Sequence, residues 1–157
     1  MKHFALTIAA LAMAVPAHAA FDPVAFFKGK THGDGKAKVI LKPSKSVSVD
    51  SEGHVEPDGT LVLNQRVMEE GKPARVRHWR LRKTSPTHFE GTLSDAVGPV
   101  SVDLIGNRAR IRFDGKNHLK FEQWLTPKSD RVVLNTMRVK RLGIVVAHFT
   151  ETIRKAD

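Results

Sequence analysis

The chain of 157 residues contains no cysteine and no tyrosine, and only two tryptophans. The lack of cysteine excludes disulfides, thiolate metal sites and cysteine nucleophiles. It also excludes the modified cysteine on which a lipoprotein anchor depends. Stability therefore has to come from an apolar core, which a chain of this length can build as one domain. Long apolar runs are scarce as well. The longest, from Phe4 to Val15 with Thr7 as its polar interruption, falls well short of the ~20 residues that a spanning helix needs. Acidic residues are in deficit: 16 Asp and Glu stand against 26 Lys and Arg, for a net charge of +10.

What stands at the beginning has the three parts of an export signal. Lys2 gives a basic start, Phe4–Val15 a short apolar stretch, and Pro16-Ala17-His18-Ala19 a small-x-small cleavage site before Ala20. The expectation is a cleavable signal peptide over 1–19 and one folded domain over 20–157. The protein is expected to be periplasmic or secreted, with no membrane anchor. A monomer is expected.

The basic excess is clustered. Lys72, Arg75, Arg77, Arg80, Arg82 and Lys83 fall in one stretch, and Arg108, Arg110 and Arg112 alternate in another. Alternate residues of a strand share a face, so the last three form one stripe. Residues between them, Ala109, Ile111 and Phe113, are apolar, which turns the stripe outward. Such a stripe suits contact with an anionic surface, and the alternative is plain solubility. Export argues against nucleic acid as the partner. Phospholipid head groups and lipopolysaccharide phosphates are the anions to expect, met transiently.

Asp22-Pro23-Val24-Ala25-Phe26-Phe27-Lys28-Gly29 predicts one or two helical turns. Asp22 caps the free amides, Pro23 suits the first helical position and Gly29 the exit. Helical periodicity then disappears. Ten β-type runs follow, near 36–42, 46–55, 60–68, 74–83, 88–93, 100–105, 108–113, 118–125, 131–140 and 144–154. Turn residues separate them, among them Pro57-Asp58-Gly59, Gly106-Asn107, Pro127-Lys128-Ser129-Asp130 and Leu142-Gly143. Short turns make neighbours antiparallel. The fold class is therefore all-β. An up-and-down barrel of about ten strands is expected, with a two-sheet sandwich as the alternative.

The residues in this order resemble a bacterial family known as domain of unknown function 3833. The resemblance rests on Phe21-Asp22-Pro23 with Phe26-Phe27-Lys28-Gly29, Arg77-x-Trp79, Gly91, Asp95, Gly98 and Gly106-Asn107. Trp124, Leu134-Asn135 and Arg141-Leu142-Gly143 complete it. It implies an envelope protein with a lipocalin-like barrel and no established activity. Many relatives look like lipoproteins, a pattern this chain leaves by lacking the cysteine. The Gly-x-Trp motif of lipocalins is absent, Gly29-Lys30-Thr31 standing in that region.

Catalytic signatures are missing. Gly29-Lys30-Thr31 imitates the end of a phosphate-binding loop, but Val24 stands where the loop needs glycine. There is no Gly-x-Ser-x-Gly elbow and no His-Glu-x-x-His pair. His32, His54, His78, His88, His118 and His148 are scattered one per element, which predicts no metal site. No cofactor is implied. Arg77 and Trp79 share a strand face with Asp95 near in sequence. These three, with Asn107, Trp124 and Asn135, are the candidate ligand-binding residues. A barrel lined by Leu, Ile, Val and Phe suits an apolar or anionic amphiphilic, lipid-like ligand held without catalysis. Two other readings compete with it. One is an envelope hydrolase or isomerase using His78 or His148 beside a carboxylate. The other is an assembly partner that uses only its basic surface.

Overall fold

The computed structural model describes residues 20–156. The expected signal peptide, 1–19, lies outside the described residues. A short helix α1 (Pro23–Phe27) precedes ten strands. They are β1 (Gly29–Val39), β2 (Lys45–Val55), β3 (Leu61–Glu69), β4 (Arg75–Ser85) and β5 (His88–Leu93). The second half adds β6 (Val100–Ile105), β7 (Arg108–Gly115), β8 (Leu119–Ser129), β9 (Val132–Arg141) and β10 (Ile144–Lys155).

Each strand pairs antiparallel with the next, and β1 pairs with β10, so the ring is closed. Closure removes every free edge and disposes of the sandwich alternative. Inner faces follow the alternation of the sequence. On β7, Ala109, Ile111 and Phe113 are buried, while Arg108 and Arg112 are exposed between them.

Two expectations need correction. The first strand begins at Gly29, not Lys36, and ends at Val39. Its inner face is Thr31, Gly33, Gly35 and Ala37, almost without side chains. Glycine is normally poor in strands but suits places where another group comes close. A Cβ on Gly33 would lie 2.0 Å from Glu151 Oε1, so the carboxylate of β10 occupies that space. The second concerns Pro127–Asp130, read as a turn. β8 continues to Ser129 and absorbs Pro127 at a register shift between Pro127 and Ser129. A proline without its N–H is tolerated at such a bulge.

Helix α1 closes one end of the barrel. Asp22 Oδ1 accepts the amides of Val24 (2.9 Å) and Ala25 (3.2 Å), as its position predicts. Phe21, Phe26 and Phe27 are buried, with the Phe26 and Phe27 rings edge to face at 5.0 Å. The helix fits only because Gly53 of β2 has no side chain: a Cβ there would lie 2.0 Å from the Phe27 carbonyl oxygen. Gly53→Ala is expected to lift this plug and cost about 2 kcal/mol, the usual scale of overpacking. Urea denaturation measures it, and an unchanged midpoint would contradict the close fit.

The core is uneven. Phe89, Phe113, Trp79, Leu93, Val100 and Leu125 belong to one large apolar cluster centred on the β4–β8 wall. On the opposite wall a small cluster holds Val47, Val49 and Val67 with Ala37 and Phe149. Small side chains on that wall leave the lumen partly unfilled.

Candidate functional site

The unfilled space is a cavity of about 180 Å³. Phe27 and Pro23 of α1 lie at its closed end, and Leu61, Leu63, Val102, Ile111 and Ile153 line its depth. Ala37, Val47, Val67, Val139 and Ala147 line it toward the other end, which no helix of the described residues covers.

Polar groups are gathered on its wall. The Trp79 indole N–H donates to Gln65 Oε1 at 2.7 Å, and Gln65 Nε2 donates to Ser51 Oγ at 3.1 Å. Across the lumen, Asn135 of β9 and Glu151 of β10 are directly opposed. Asn135 Nδ2 donates to Glu151 Oε2 at 2.9 Å. Asn135 is only 4% exposed, and its Oδ1 has no partner. Buried amide oxygens are nearly always paired, so an orphan of this kind calls for an explanation.

Charge accompanies these groups. Arg77, on the same face of β4 as Trp79, has its side chain 18% exposed and its guanidinium 5.3 Å from the indole centroid. Its Nε is 2.9 Å from Asp95 Oδ2 but lies off the hydrogen-bond axis, so the N–H stays unpaired. Arg75 shares the same Asp95 oxygen. Burial lowers the Arg77 pKa to about 10, with Asp95 and Glu151 opposing that shift. Burial likewise raises the Glu151 pKa, while the Asn135 hydrogen bond and the Arg77 charge hold it back. The cavity therefore combines an apolar body with a cation, a reluctant carboxylate and an unsatisfied acceptor.

Of the candidate residues named from sequence, Arg77, Trp79 and Asn135 meet at the cavity, and Asp95 pairs with Arg77 beside it. Asn107 does not join them. It lies in the exposed β6–β7 turn, where Gly106 carries the positive φ of 59° and Asn107 does not share it. Trp124 also lies elsewhere. It faces outward on β8, with the Arg108 guanidinium 4.2 Å and that of Arg110 5.8 Å from its ring centroid.

The arginine stripe is on the outer wall and is internally compensated. Asp103 Oδ2 accepts from Arg110 at 3.1 Å and Arg112 at 3.0 Å, while its Oδ1 sits 2.8 Å from His88 Nδ1. Burial opposes the Asp103 charge, but His88, Arg110 and Arg112 outweigh it and hold its pKa below the ordinary value. His78 Nδ1 faces Asn64 Oδ1 at 2.7 Å rather than a carboxylate. The His–carboxylate contacts, His32 with Asp50 (2.6 Å) and Asp34 (3.2 Å) and His88 with Asp103 (2.8 Å) and Glu90 (3.4 Å), are on the outside of the barrel.

The sequence pattern assigns no site role to Glu151, Gln65, Gly33 or Gly35. A signal for Glu151 exists: Phe149, Glu151 and Ile153 share one strand face, so an acidic residue between two large apolar ones points inward.

Comparison with solved structures supports the architecture. An S-type phycobiliprotein lyase from Guillardia theta has a similar fold, with a TM-score of 0.70 at 7% identity over 85% of this chain and 90% of that one. A protein of unknown function of the DUF3598 family from Nostoc punctiforme matches with a TM-score of 0.65 at 14% identity. That match covers 93% of this chain and 54% of the other, so this chain spans about half its length. At these identities the likeness concerns the fold alone. No curated protein matches the sequence. Residues 5–155 do match a family described as protein of unknown function, DUF3833, and the chain belongs to that family.

Proposed function

We propose that this protein is a non-catalytic binding protein of the cell envelope whose ligand is a small amphiphile. Its apolar part would occupy the lumen, and its polar head would meet Asn135, Glu151 and Arg77. The observation that carries the reading is the Asn135 Oδ1 atom, buried without a partner on the wall of a mainly apolar cavity. Leaving such an acceptor unpaired costs about 1–3 kcal/mol. A ligand O–H or N–H donor removes that cost, and the neighbouring Arg77 offers its own N–H to an acceptor on the same head.

Size limits the ligand. A volume of about 180 Å³ is near the ~150 Å³ that holds benzene and below the ~300–1,000 Å³ of drug-sized pockets. A short acyl segment or one ring fits inside, and anything longer projects through the uncovered end. A carboxylic acid head suits the polar wall, since it carries both a donor and an acceptor. A phycobiliprotein lyase built on a similar barrel supports a ligand-handling use of this fold without naming the ligand. The proposed place of action rests on the expected export signal.

Octanoic acid is the first probe, titrated below pH ~4.3 so that its carboxyl keeps the O–H that Asn135 Oδ1 requires. Calorimetric titration is expected to show one saturable site in the wild type. Asn135→Leu should weaken it about tenfold, the equivalent of one hydrogen bond near 1.4 kcal/mol. Ala37→Phe, which fills the lumen, should abolish it. Binding that survives Ala37→Phe would place the ligand elsewhere and contradict this reading.

A further inference from the structure

The two ends of the barrel differ. Helix α1 seals one. The other carries the turns that follow β1, β3, β5, β7 and β9. Two of these turns are neighbours, because β1 pairs with β10 and the Ile40 amide donates to the Val146 carbonyl at 2.9 Å. Together they hold the three most exposed large apolar residues of the described chain, Leu41 (98%), Leu142 (79%) and Ile144 (66%), with Ile40 (55%) beside them. A single exposed leucine needs no explanation, but a contiguous apolar tip does.

The backbone sharpens the point. Leu41 has φ 60° and Leu142 φ 50°, both in the left-handed region that leucine enters only at a cost. Leu142 and Gly143 (φ 82°) both have positive φ, as in a type I′ hairpin, where Asn-Gly is the favoured pair. Neither leucine is repaid by packing, since both are open to solvent. Strain that stability does not explain points to function.

Charge surrounds the tip. Lys38, Lys42, Lys45, Lys140 and Arg141 flank these turns. Lys38 and Lys45 donate to main-chain carbonyls, of Lys42 and Glu70 respectively. Lys42, Lys140 and Arg141 are exposed and form no ion pair among the described residues. The carboxylates at this end are engaged: Glu69 with Lys72, Glu70 with the Ser46 amide, Asp95 with Arg75 and Arg77, Asp114 with Lys120.

We propose that this end of the barrel docks on an anionic phospholipid bilayer. Leu41 and Leu142 enter the boundary between head groups and acyl chains, while Lys42, Lys140 and Arg141 meet phosphates. An exposed apolar tip inside a basic collar is the arrangement that such an interface rewards. The cavity lining reaches Glu69, Arg75 and Ala147 on this side, so a docked barrel turns its uncovered end to the lipid. The docking stands apart from the ligand reading, since it requires nothing inside the lumen. The Arg108, Arg110, Arg112 stripe is the competing surface, but Asp103 and Trp124 already occupy it and no exposed apolar tip accompanies it.

Co-sedimentation of the chain from Ala20 with phosphatidylglycerol and with phosphatidylcholine vesicles tests the proposal. The wild type is expected to bind the first and not the second. Leu41→Asn with Leu142→Asn should weaken binding about tenfold or more. The same pair should leave Tm equal or higher, because asparagine suits both left-handed positions. That opposition of signs separates docking from a structural role. Lys42→Gln, Lys140→Gln and Arg141→Gln together should weaken binding about a hundredfold. Arg108→Gln, Arg110→Gln and Arg112→Gln together should leave it unchanged. Equal binding to both vesicles, absence of binding, or a loss confined to the stripe variant would overturn the proposal. Octanoic acid titration of the leucine variants, expected to match the wild type, keeps a failure of docking distinct from a failure of the lumen site.

Discussion

Arg77→Leu is expected to destabilise the barrel by about 3 kcal/mol, the scale of removing one partner from a buried ionic cluster. Asp95 is not the group left stranded, because Arg75 still reaches it. Glu151 is. Its carboxyl lies in the lumen with its pKa raised by burial, and Arg77 is one of the charges that restrain that rise. Without Arg77 the rise is larger. The pH dependence follows from the sign. A carboxyl whose folded pKa exceeds its unfolded value favours the folded state most when protonated. The stability it withholds therefore grows as pH rises through the unfolded value and is complete above the folded one. The deficit of Arg77→Leu should be greater near pH ~7 than near pH ~4. Adding Glu151→Met should recover most of it, since it removes the buried carboxyl whose charge Arg77 offsets. Urea denaturation of the four proteins at both pH values measures the cycle. A double variant less stable than Arg77→Leu alone would show that Glu151 is not the stranded charge.

The second large effect contrasts the two walls of the barrel. Phe113→Ala is expected to cost about 4 kcal/mol, typical of a large aromatic removed from a dense core. Phe113 is 5% exposed, stacks on Phe121 at 4.6 Å and meets the Trp79 ring edge-on at 6.0 Å. Val49→Ala on the opposite wall should cost less than about 2 kcal/mol, because Val49 borders space that is already empty. Equal costs per methylene at the two sites would mean that the lumen is packed as tightly as the β4–β8 wall.

Much of this architecture can be read from the chain because a half-buried antiparallel strand writes its two faces in alternate residues. Ala109, Ile111 and Phe113 against Arg108, Arg110 and Arg112 is the plainest case, and the register of β7 follows it. β1 could not be read in the same way. Its inner positions, Gly33 and Gly35, look like turn residues until their neighbour is known, and that neighbour, Glu151, lies more than a hundred residues later. The Arg77–Asp95 pair was legible because both residues belong to adjacent elements, whereas the union of Asn135 with Glu151 is set by the β9–β10 register. Trp124 illustrates the opposite limit. An indole invites a ligand reading, yet its place in the alternation of β8 puts it outside, beneath two arginines. Which end of the barrel stays uncovered follows from α1 leading directly into β1 at Gly29, and the close seat of the helix there needs the missing Cβ of Gly53.

Native mass spectrometry of the protein purified from its own cells reads the occupancy of the lumen itself. A population carrying one small amphiphile is expected, retained in gentle conditions and lost in Ala37→Phe. Wild-type protein that emerges only at its bare chain mass, or that carries the same adduct after Ala37→Phe, would contradict a ligand held in the lumen.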